Sequence, residues 1–410
     1  MNSHPSLKNT STLLDSPSRP PMAARTLLKV LGKLHCGTLT FTAPDGNVTV
    51  FKGAHPGAHA DLRFADWRVA SEVVKAAEIG MAECYRDHRL FTSDLTQLLI
   101  LCVENEAALM EVFYGNKLVA AFFRLKHWMR SNSRNQAKRN ISAHYDLSNT
   151  FYTHWLDKTM TYSSAVGTAT AASMEAAQTA KYERILALLN PPKGASILEI
   201  GAGWGGFAEH AARTRGVKVH GITLSTEQLN FAVSRIADGA LDKLATFELI
   251  DYRDVTATYD YVVSIEMFEA VGEKFWPVYF KAVHDRLKPG GRAMIQAITI
   301  DEKAFVRYRA SSDFIREYIF PGGMLAPVSR FIAEANAQGL TAEAPFMFGI
   351  DYANTLKYWL HRVNEQHIEI NKLSFDEKFL QIWRFYLCYC EAGFRTKRTD
   401  VMQIELTRKA

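Results

Sequence analysis

The chain has 410 residues, of which 48% are hydrophobic and 22% are charged, so it can fold into two globular domains that each bury a core. Its 48 Lys and Arg against 43 Asp and Glu leave a net charge of only +5. This is too small for the overall charge to bind an anionic partner, so any such binding must come from local basic clusters. The five cysteines are an odd number without metal-ligand spacing, so we expect reduced thiols, no metal site and a cytoplasmic protein.

Residues 1–22 are rich in Ser and Pro and lack the apolar centre of a signal peptide, so we expect them to form a disordered tail. No run in the sequence approaches the ~18 apolar residues that a membrane-spanning helix needs. We therefore expect a protein that associates peripherally with the inner face of a membrane and does not cross it.

Residues 23–112 predict a small α+β domain. The stretch GTLTFTAPDGNVTVF alternates apolar and polar residues on both sides of Pro44, Asp45 and Gly46, which predicts a strand, a turn and a strand. The remainder has helical spacing, with Ser93 as the expected N-cap of one helix. Nothing in this region suggests catalytic chemistry.

Residues 113–140 predict a basic amphipathic linker. The stretch KLVAAFFRLKHWMRSNSRNQAKR holds seven Lys or Arg, no Asp or Glu, and the bulky apolar residues Phe122, Phe123, Trp128 and Met129. Such a segment suits an anionic membrane surface, and a solvated interdomain helix is the alternative. Nucleic acid ranks below both because no nucleic-acid-binding module accompanies the patch, so we expect no nucleic-acid partner.

Residues 141–410 predict an α/β domain with a doubly wound, Rossmann-like sheet of seven strands and a helical lid. The β-rich runs ASILEIGA, VKVHGITL, ATFELID, YDYVVSIEM and GRAMIQAITI alternate with helical segments. The last run, VMQIELTR, alternates apolar and polar residues, which indicates an antiparallel or edge strand. Aromatic-rich helical sequence in 301–340 and 353–397 interrupts the sheet pattern and would build the substrate site.

The stretch ILEIGAGWGG carries a glycine turn of the G-x-G-x-x-G form, which several cofactor classes use. A dinucleotide needs an acid at the end of the second strand, but that strand ends in Thr223, Leu224 and Ser225. An acid, Glu199, instead precedes the first glycine, where it suits a cationic ligand such as S-adenosylmethionine. The alternatives are a nicotinamide or flavin oxidoreductase, and glycines that serve only strand-to-helix packing.

Eight ordered segments between 141 and 410 resemble the cyclopropane-fatty-acid synthase family, which includes the mycolic acid cyclopropane synthases and consists of S-adenosylmethionine-dependent methyltransferases. These segments are AHYDLSNTFYTHWLDKTMTYSSA, LEIGAGWGG, GITLSTEQ, DYRD, SIEMFEAVG, YIFPGGML, GIDYANTLKYW and YLCYCEAGF. The N-terminal portion also resembles the lipid-associated domain that precedes the catalytic domain in some members.

The resemblance implies a set of cofactor contacts at the methionine end, the glycine turn, the second strand end and the adenine. They are Tyr162, Ser163, Ile197, Glu199, Gly201, Ala202, Gly203, Trp204, Gly205, Thr223, Leu224, Ser225, Gln228, Tyr252 and Arg253.

The family's acceptor is a carbon–carbon double bond of an acyl chain, which attacks the sulfonium methyl and leaves a carbocation that a base must deprotonate. The resemblance implies a bound bicarbonate as that base, held here by Glu269, the Ile298 backbone and Tyr352. Two positions depart from the family pattern, because Ser164 stands where a Cys is expected and Gln296 where a His is expected. Both can still donate hydrogen bonds to an anion. Cys390 matches a Cys of the family's C-terminal region, although buried thiols more often pack than react.

The sequence thus predicts an enzyme that turns an unsaturated phospholipid acyl chain into a cyclopropane fatty acid. Because the base alone selects which proton leaves, a methyl- or methylene-branched product is the alternative. A non-catalytic lipid carrier is a remoter alternative, and assembly into a homo-oligomer stays open.

Overall fold

The structure is a computed structural model that describes residues 20–113, 148–373 and 375–410, with side chains described outside 110–113. Apart from their end residues, the predicted tail, 1–22, and the predicted basic linker, 113–140, lie outside this part of the chain. Both therefore stay predictions.

A four-stranded sheet forms the N-terminal region, in the spatial order β2-β1-β3-β4. Its strands are β1 (Cys36–Thr42), β2 (Val48–Lys52), β3 (His55–Phe64) and β4 (Leu90–Phe91). The predicted strand–turn–strand is confirmed, since β1 and β2 pair antiparallel across a turn in which the Asn47 backbone N–H donates to Asp45 Oδ1 over 3.1 Å. β3 returns parallel to β1 and joins it to β4.

Helices cover this sheet and end the N-terminal region. They are α1 (Met22–Leu31), α2 (Arg68–Arg86), α3 (Leu95–Glu104) and α4 (Glu106–Phe113). The expectation that Ser93 caps α3 is wrong by one residue: the Asp94 carboxylate accepts the Gln97 N–H at 2.9 Å, while the Ser93 hydroxyl hydrogen-bonds Asp61. A carboxylate at the N-cap also interacts favourably with the positive end of the helix dipole.

A second sheet forms the catalytic region, with the path β7-β6-β5-β8-β9-β12-β10 and a short β11 beside β12. Its strands are β5 (Ser196–Ile200), β6 (Lys218–Thr223), β7 (Ala245–Leu249), β8 (Tyr259–Ile265), β9 (Leu287–Ile300), β10 (Leu340–Ala342), β11 (Phe346–Met347) and β12 (Thr399–Arg408). The first five are the predicted β-rich runs, and they pair in parallel. The predicted doubly wound seven-stranded path is thereby confirmed.

The last strand is antiparallel, as predicted, but it is not an edge. β12 pairs with β9 on one side and with β10 and β11 on the other. Its inward residues Met402, Ile404 and Leu406 are fully buried. The two covering strands are two and three residues long, too short to produce an alternating pattern that a reader of the sequence could detect.

Helices flank both faces of the second sheet, and several of them come from the two aromatic-rich segments. They are α5 (Asn149–Trp155), α6 (Met174–Leu189), α7 (Gly206–Arg215), α8 (Thr226–Asp238), α9 (Trp276–Arg286), α10 (Glu302–Ala310), α11 (Val328–Ala337), α12 (Gly349–Glu365), α13 (His367–Asn371) and α14 (Glu377–Arg395), with a π-helical turn at Ile315–Ile319.

The N-terminal and catalytic regions share one apolar core. A buried cluster runs from α1, β1 and α3 through α5 and α12 to α14. Inside it, the Thr96 hydroxyl on α3 donates to Glu391 Oε2 on α14 over 3.0 Å. The two regions are therefore packed as one body around the face of the sheet that carries the site.

No helix in the described ranges combines the length and the apolar character that crossing a membrane requires.

Candidate active site

A cavity of about 500 Å³ opens at the carboxyl ends of β5, β6 and β8 and continues between the two regions. In an open α/β sheet, this edge is where ligands bind. One end of the cavity is lined by the glycine turn after β5, and the other by apolar side chains of the N-terminal region such as Leu31, Leu62 and Leu99. The cavity thus joins a polar and an apolar compartment.

The glycine turn brings the backbone close to whatever lies above it. Gly201, Gly203 and Gly205 have φ values of +84°, +53° and +79°, which other residues rarely adopt. A Cβ on Gly201 would lie 2.9 Å from Met267 Cγ, whereas a Cβ on Gly203 would meet nothing within 4 Å. The turn then leads into the N-terminus of α7, as the sequence predicted.

Glu199 supplies the negative group of this compartment. The residue is 3% exposed, and its Oε2 has no hydrogen-bond partner among the described residues. Burial raises the pKa of this carboxyl well above its usual range, and the charge of Lys181 opposes that rise only in part. An orphaned carboxylate oxygen beside an open glycine cradle fits a ligand that carries an ammonium and a sulfonium group, which is the chemistry of S-adenosylmethionine.

Most of the predicted cofactor residues line this cavity. They are Tyr162, Ser163, Glu199, Gly201, Ala202, Gly203, Trp204, Thr223, Leu224, Gln228, Tyr252 and Arg253. Three hydrogen bonds fix their positions: Thr223 Oγ1 to Gln228 Oε1 at 2.9 Å, Trp204 Nε1 to Asn149 at 2.7 Å, and the Tyr162 hydroxyl to that of Tyr386 at 2.7 Å. Arg253 also donates to Asp251, from Nε to Oδ1 at 2.7 Å and from Nη2 to Oδ2 at 2.5 Å.

Three predicted cofactor residues lie off the cavity wall. Ile197 is fully buried in the core that β5 shares with α6 and α7. Ser225 accepts the Gln228 N–H at 3.3 Å and so caps α8. Gly205 allows close packing, since a Cβ there would lie 3.0 Å from both Ala232 and Phe247. These residues shape the site from behind rather than facing a ligand.

A carboxylate that the sequence did not single out, Glu266, lies at the centre of the catalytic side. Its Oε1 accepts the Ser164 backbone N–H and Gln296 Nε2, each at 2.8 Å, and its Oε2 accepts the Tyr352 hydroxyl at 2.6 Å. Burial raises the pKa of Glu266, while Lys181 and the three donors oppose that rise. The three donors and the nearby Lys181 thus favour the ionised form against the effect of burial.

Glu269, the carboxylate that the sequence did predict, has a different environment. Its Oε1 accepts the Ile298 backbone N–H at 2.5 Å, and its Oε2 has no partner within the described residues. Burial, reinforced by the charge of Glu266, raises the pKa of Glu269 to about 8. The two neighbouring carboxyls therefore differ in environment: three hydrogen-bond donors and Lys181 favour the ionised form of Glu266, whereas one donor and the charge of Glu266 leave Glu269 with a strongly raised pKa.

Lys181 on α6 is the buried cation behind this pair. Its Nζ donates to Ser163 Oγ at 2.5 Å and to Gln178 Oε1 at 2.7 Å. Burial lowers the pKa of Lys181 to about 7, against the opposing charges of Glu266, Asp157 and Glu199. Lys181 thus balances part of the negative charge of both compartments.

The predicted catalytic residues are brought together only in part. Gln296 and Tyr352 converge on Glu266, whereas Ser164 contributes its backbone N–H, because its hydroxyl donates to the Ala165 carbonyl at 2.9 Å. The expected role of the Ser164 hydroxyl as a donor to an anion stays a prediction. Cys390 lines the cavity as a neutral thiol, since burial raises its pKa, and it is not among the hydrogen-bond partners of Glu266.

A signal for Glu266 was present in the sequence, since an acid follows β8 directly, at the ligand-binding edge of the sheet. Lys181 had no such signal, because a lysine inside a helix reads as a solvent-exposed residue. Chemically, the arrangement offers an ionised carboxylate beside an apolar channel, which can stabilise a developing cation and take a proton from it.

Comparisons with known proteins agree with this geometry. Residues 132–404 match the family model of the mycolic acid cyclopropane synthetases. The chain is 36% identical to the tuberculostearic acid methyltransferase UfaA1 of Mycobacterium tuberculosis, over 83% of this chain and 81% of that protein. It is 32% identical to the cyclopropane-fatty-acyl-phospholipid synthase of Escherichia coli K12, over 86% and 88%.

The crystal structure of the mycolic acid cyclopropane synthase CmaA1 complexed with SAH and CTAB superimposes with a TM-score of 0.63 at 28% identity, covering 66% of this chain and 98% of that one. The cofactor expected from the glycine turn and Glu199 is therefore confirmed at the level of the family. The chain belongs to the mycolic acid cyclopropane synthetase family of S-adenosylmethionine-dependent methyltransferases.

Proposed function

We propose that this protein transfers the methyl carbon of S-adenosylmethionine to the double bond of an unsaturated acyl chain carried by a membrane phospholipid, giving a cyclopropane fatty acid. The observation that carries the proposal is the cavity of about 500 Å³, which joins the glycine turn to an apolar compartment past an ionised carboxylate. A methyl donor and a hydrocarbon chain can meet at that carboxylate.

When bound, S-adenosylmethionine supplies an electrophilic methyl group, whose uptake by the double bond leaves a carbocation on the neighbouring carbon. Glu199, the glycine turn and Thr223 hold the donor side. The apolar walls exclude water, which would otherwise capture the cation and give an alcohol.

A phospholipid substrate is supported by the N-terminal region, whose leucines give a hydrocarbon chain an apolar surface beyond the reaction centre. The E. coli relative carries a phospholipid substrate in its name. The basic sequence of 113–140 adds a reason for the enzyme to lie on an anionic membrane surface.

A methyl-branched product is the second candidate. Two observations favour it: Ser164 and Gln296 replace the residue types expected in a ring-forming site, and the UfaA1 relative is named a methyltransferase. Ring closure requires loss of a proton from the new methyl group, whereas branching with a retained double bond requires loss of a proton from the chain.

The test is incubation of the purified protein with S-adenosylmethionine carrying a fully deuterated methyl group and with unsaturated phospholipid vesicles. Mass spectrometry and proton NMR of the recovered acyl chains then identify the product. Two deuteriums with high-field ring protons support the cyclopropane, two without ring protons indicate a methylene branch, and three indicate a methyl branch. Acyl chains without deuterium would contradict the proposal and leave a lipid carrier.

A further inference from the structure

We infer that the Glu266 carboxylate is the general base of this reaction and stands in the place of a dissolved anion. This inference rests on the proposed function, because it concerns the proton that a methylated acyl chain must lose. If it holds, a residue of the chain itself takes the place of the bicarbonate that the resemblance implies.

The donors that would hold a free anion are already engaged. The resemblance assigned the anion to positions 164, 269, 296, 298 and 352. The Ser164 N–H, Gln296 Nε2 and the Tyr352 hydroxyl donate to Glu266, and the Ile298 N–H donates to Glu269. A separate anion would find none of these donors available.

The orientation of Gln296 is itself fixed. Gln403 on β12 donates through Nε2 to Gln296 Oε1 at 3.0 Å, so the NH2 group of Gln296 must face Glu266. Gln403 and Gln296 lie opposite each other in the pairing of β12 with β9. Two central strands of the sheet therefore aim this donor at the carboxylate.

Electrostatics also oppose a second anion. Glu266 lines the cavity together with Glu269, and the buried Lys181 is close enough to lower the pKa of Glu266. Adding a negative ion beside an ionised carboxylate in a region of low polarity is unfavourable unless another cation compensates for it. One ionised carboxylate, backed by one lysine, is the balanced arrangement.

The backbone indicates that the position is functional rather than incidental. Glu266 has φ +51°, a left-handed conformation that costs free energy for a residue other than glycine, and its N–H is anchored to the Gln296 carbonyl at 2.8 Å. Such strain persists where surrounding contacts enforce it, and it concentrates at reactive sites. Here the three donors enforce it.

The proposed step balances as follows. A Glu266 oxygen takes a proton either from the added methyl carbon, which lies two bonds from the cationic carbon, or from a chain carbon bonded directly to it, and the electron pair of that C–H bond forms the new bond that discharges the cation. The pair closes a ring if the proton comes from the added methyl group, and forms a double bond if it comes from the chain. The proton leaves Glu266 for water when the product departs, which restores the carboxylate.

The experiment compares the full-length wild type with Glu266→Gln, which keeps the shape, and Glu266→Gly, which removes the side chain. Methyl transfer to unsaturated phospholipid vesicles is measured in carbon-dioxide-free buffer with and without added bicarbonate. We expect an unchanged rate for the wild type, a loss of roughly 100-fold or more for Glu266→Gln, and a similar loss for Glu266→Gly that bicarbonate partly restores.

A second readout does not use turnover. The line width of ¹³C-labelled bicarbonate is measured by NMR with each protein in the absence of the methyl donor. The Glu266→Gly protein should broaden the line because three donors are freed, and the added change Tyr352→Phe should weaken that broadening. Wild type should leave the line unchanged.

Folding is checked by thermal melts. Glycine suits φ +51°, which offsets part of the cost of leaving the Ser164, Gln296 and Tyr352 donors without this acceptor, so Glu266→Gly should still fold and melt cooperatively. Ala240→Gly is the matched control, because Ala240 is exposed, has φ +53° and lies outside the site. This control should keep wild-type activity.

The inference is overturned if methyl transfer by the wild type stops when bicarbonate is absent, or if the wild type broadens the bicarbonate line. A wild type that methylates no lipid, together with the expected NMR result, overturns the proposed function instead and leaves the replacement of the anion standing.

Discussion

The cavity has two walls that act by different means. We call the glycine turn after β5 together with Glu199 the cofactor wall, and Glu266 together with its hydrogen-bond donors the catalytic wall. The cofactor wall works through the backbone: three glycines with positive φ let the chain approach a ligand, and Glu199 is its one orphaned charged group among the described residues. The catalytic wall works through side chains, with the Glu266 carboxylate held by donors from separate elements. Backbone sites leave a pattern in the sequence, whereas side-chain sites depend on contacts between distant residues.

The change with the largest expected effect, Gly201→Ala, breaks the cofactor wall. The added Cβ would lie 2.9 Å from Met267 Cγ, on a residue with φ +84°. We expect the affinity for S-adenosylhomocysteine, measured by calorimetry, to fall roughly 100-fold, which corresponds to about 3 kcal/mol.

Gly194→Ala is its control, because Gly194 has nearly the same φ, +83°, but a Cβ there would meet nothing within 4 Å. Both variants should lose similar stability from the backbone, and only Gly201→Ala should lose binding. Equal losses of affinity would mean that the strained backbone of an alanine at positive φ weakens binding, and not the added Cβ beside Met267.

A smaller effect is expected at the catalytic wall from Glu269→Gln. The pKa of Glu269 is raised from 4.5 to about 8, so the folded protein holds a proton there that the unfolded chain has lost. This contribution is fully present below pH 4.5 and is lost as the pH rises to about 8. The variant lacks this loss, so it should unfold like the wild type near pH 4.5 and be more stable near pH 8, by on the order of 1–4 kcal/mol.

Urea unfolding of both proteins across this pH range measures the difference. Glu343→Gln, a change of an exposed carboxylate on the surface, should follow the wild-type curve. A constant difference between Glu269→Gln and the wild type at every pH would show that Glu269 is not protonated in the fold.

The smallest effect concerns the apolar end of the cavity. Val73 on α2 lines the cavity and is 9% exposed, so Val73→Phe should shorten the space for an acyl chain. We expect KM for long-chain phospholipids to rise about threefold to tenfold, roughly 1 kcal/mol, with kcat nearly unchanged. Val278→Phe, on the exposed face of α9, is the control. Equal KM values for both variants would mean that the N-terminal end of the cavity does not bind the acyl chain.

The fold was predictable because its signals are local. Parallel strands buried on both faces appear as apolar runs, and the turn between β5 and α7 appears as glycines at fixed spacing. The errors also have local causes. Ser93 and Asp94 are both good caps, and only the start of the helix decides between them. The strands that cover β12 are too short to be recognised.

The catalytic wall was less predictable for a physical reason. The sequence pointed to Glu269, but it contains nothing that reports the positive φ of Glu266 or the convergence of Gln296 and Tyr352 on it. Likewise, the Ser164 side chain suggested a donor, while the structure uses the backbone N–H, which every residue except proline possesses. Such contacts become visible only once β8, β9 and α12 are placed together.

Glycine is the residue that a backbone with φ +51° favours, and the codons of glycine and glutamate differ by one nucleotide. A site that carries its own carboxylate and a site that borrows one from solution are therefore one mutation apart, at a backbone conformation that glycine adopts more readily than glutamate. Lineages of such enzymes would need only one substitution to pass between the two forms. Their dependence on dissolved carbon dioxide would then vary between organisms more readily than their fold does.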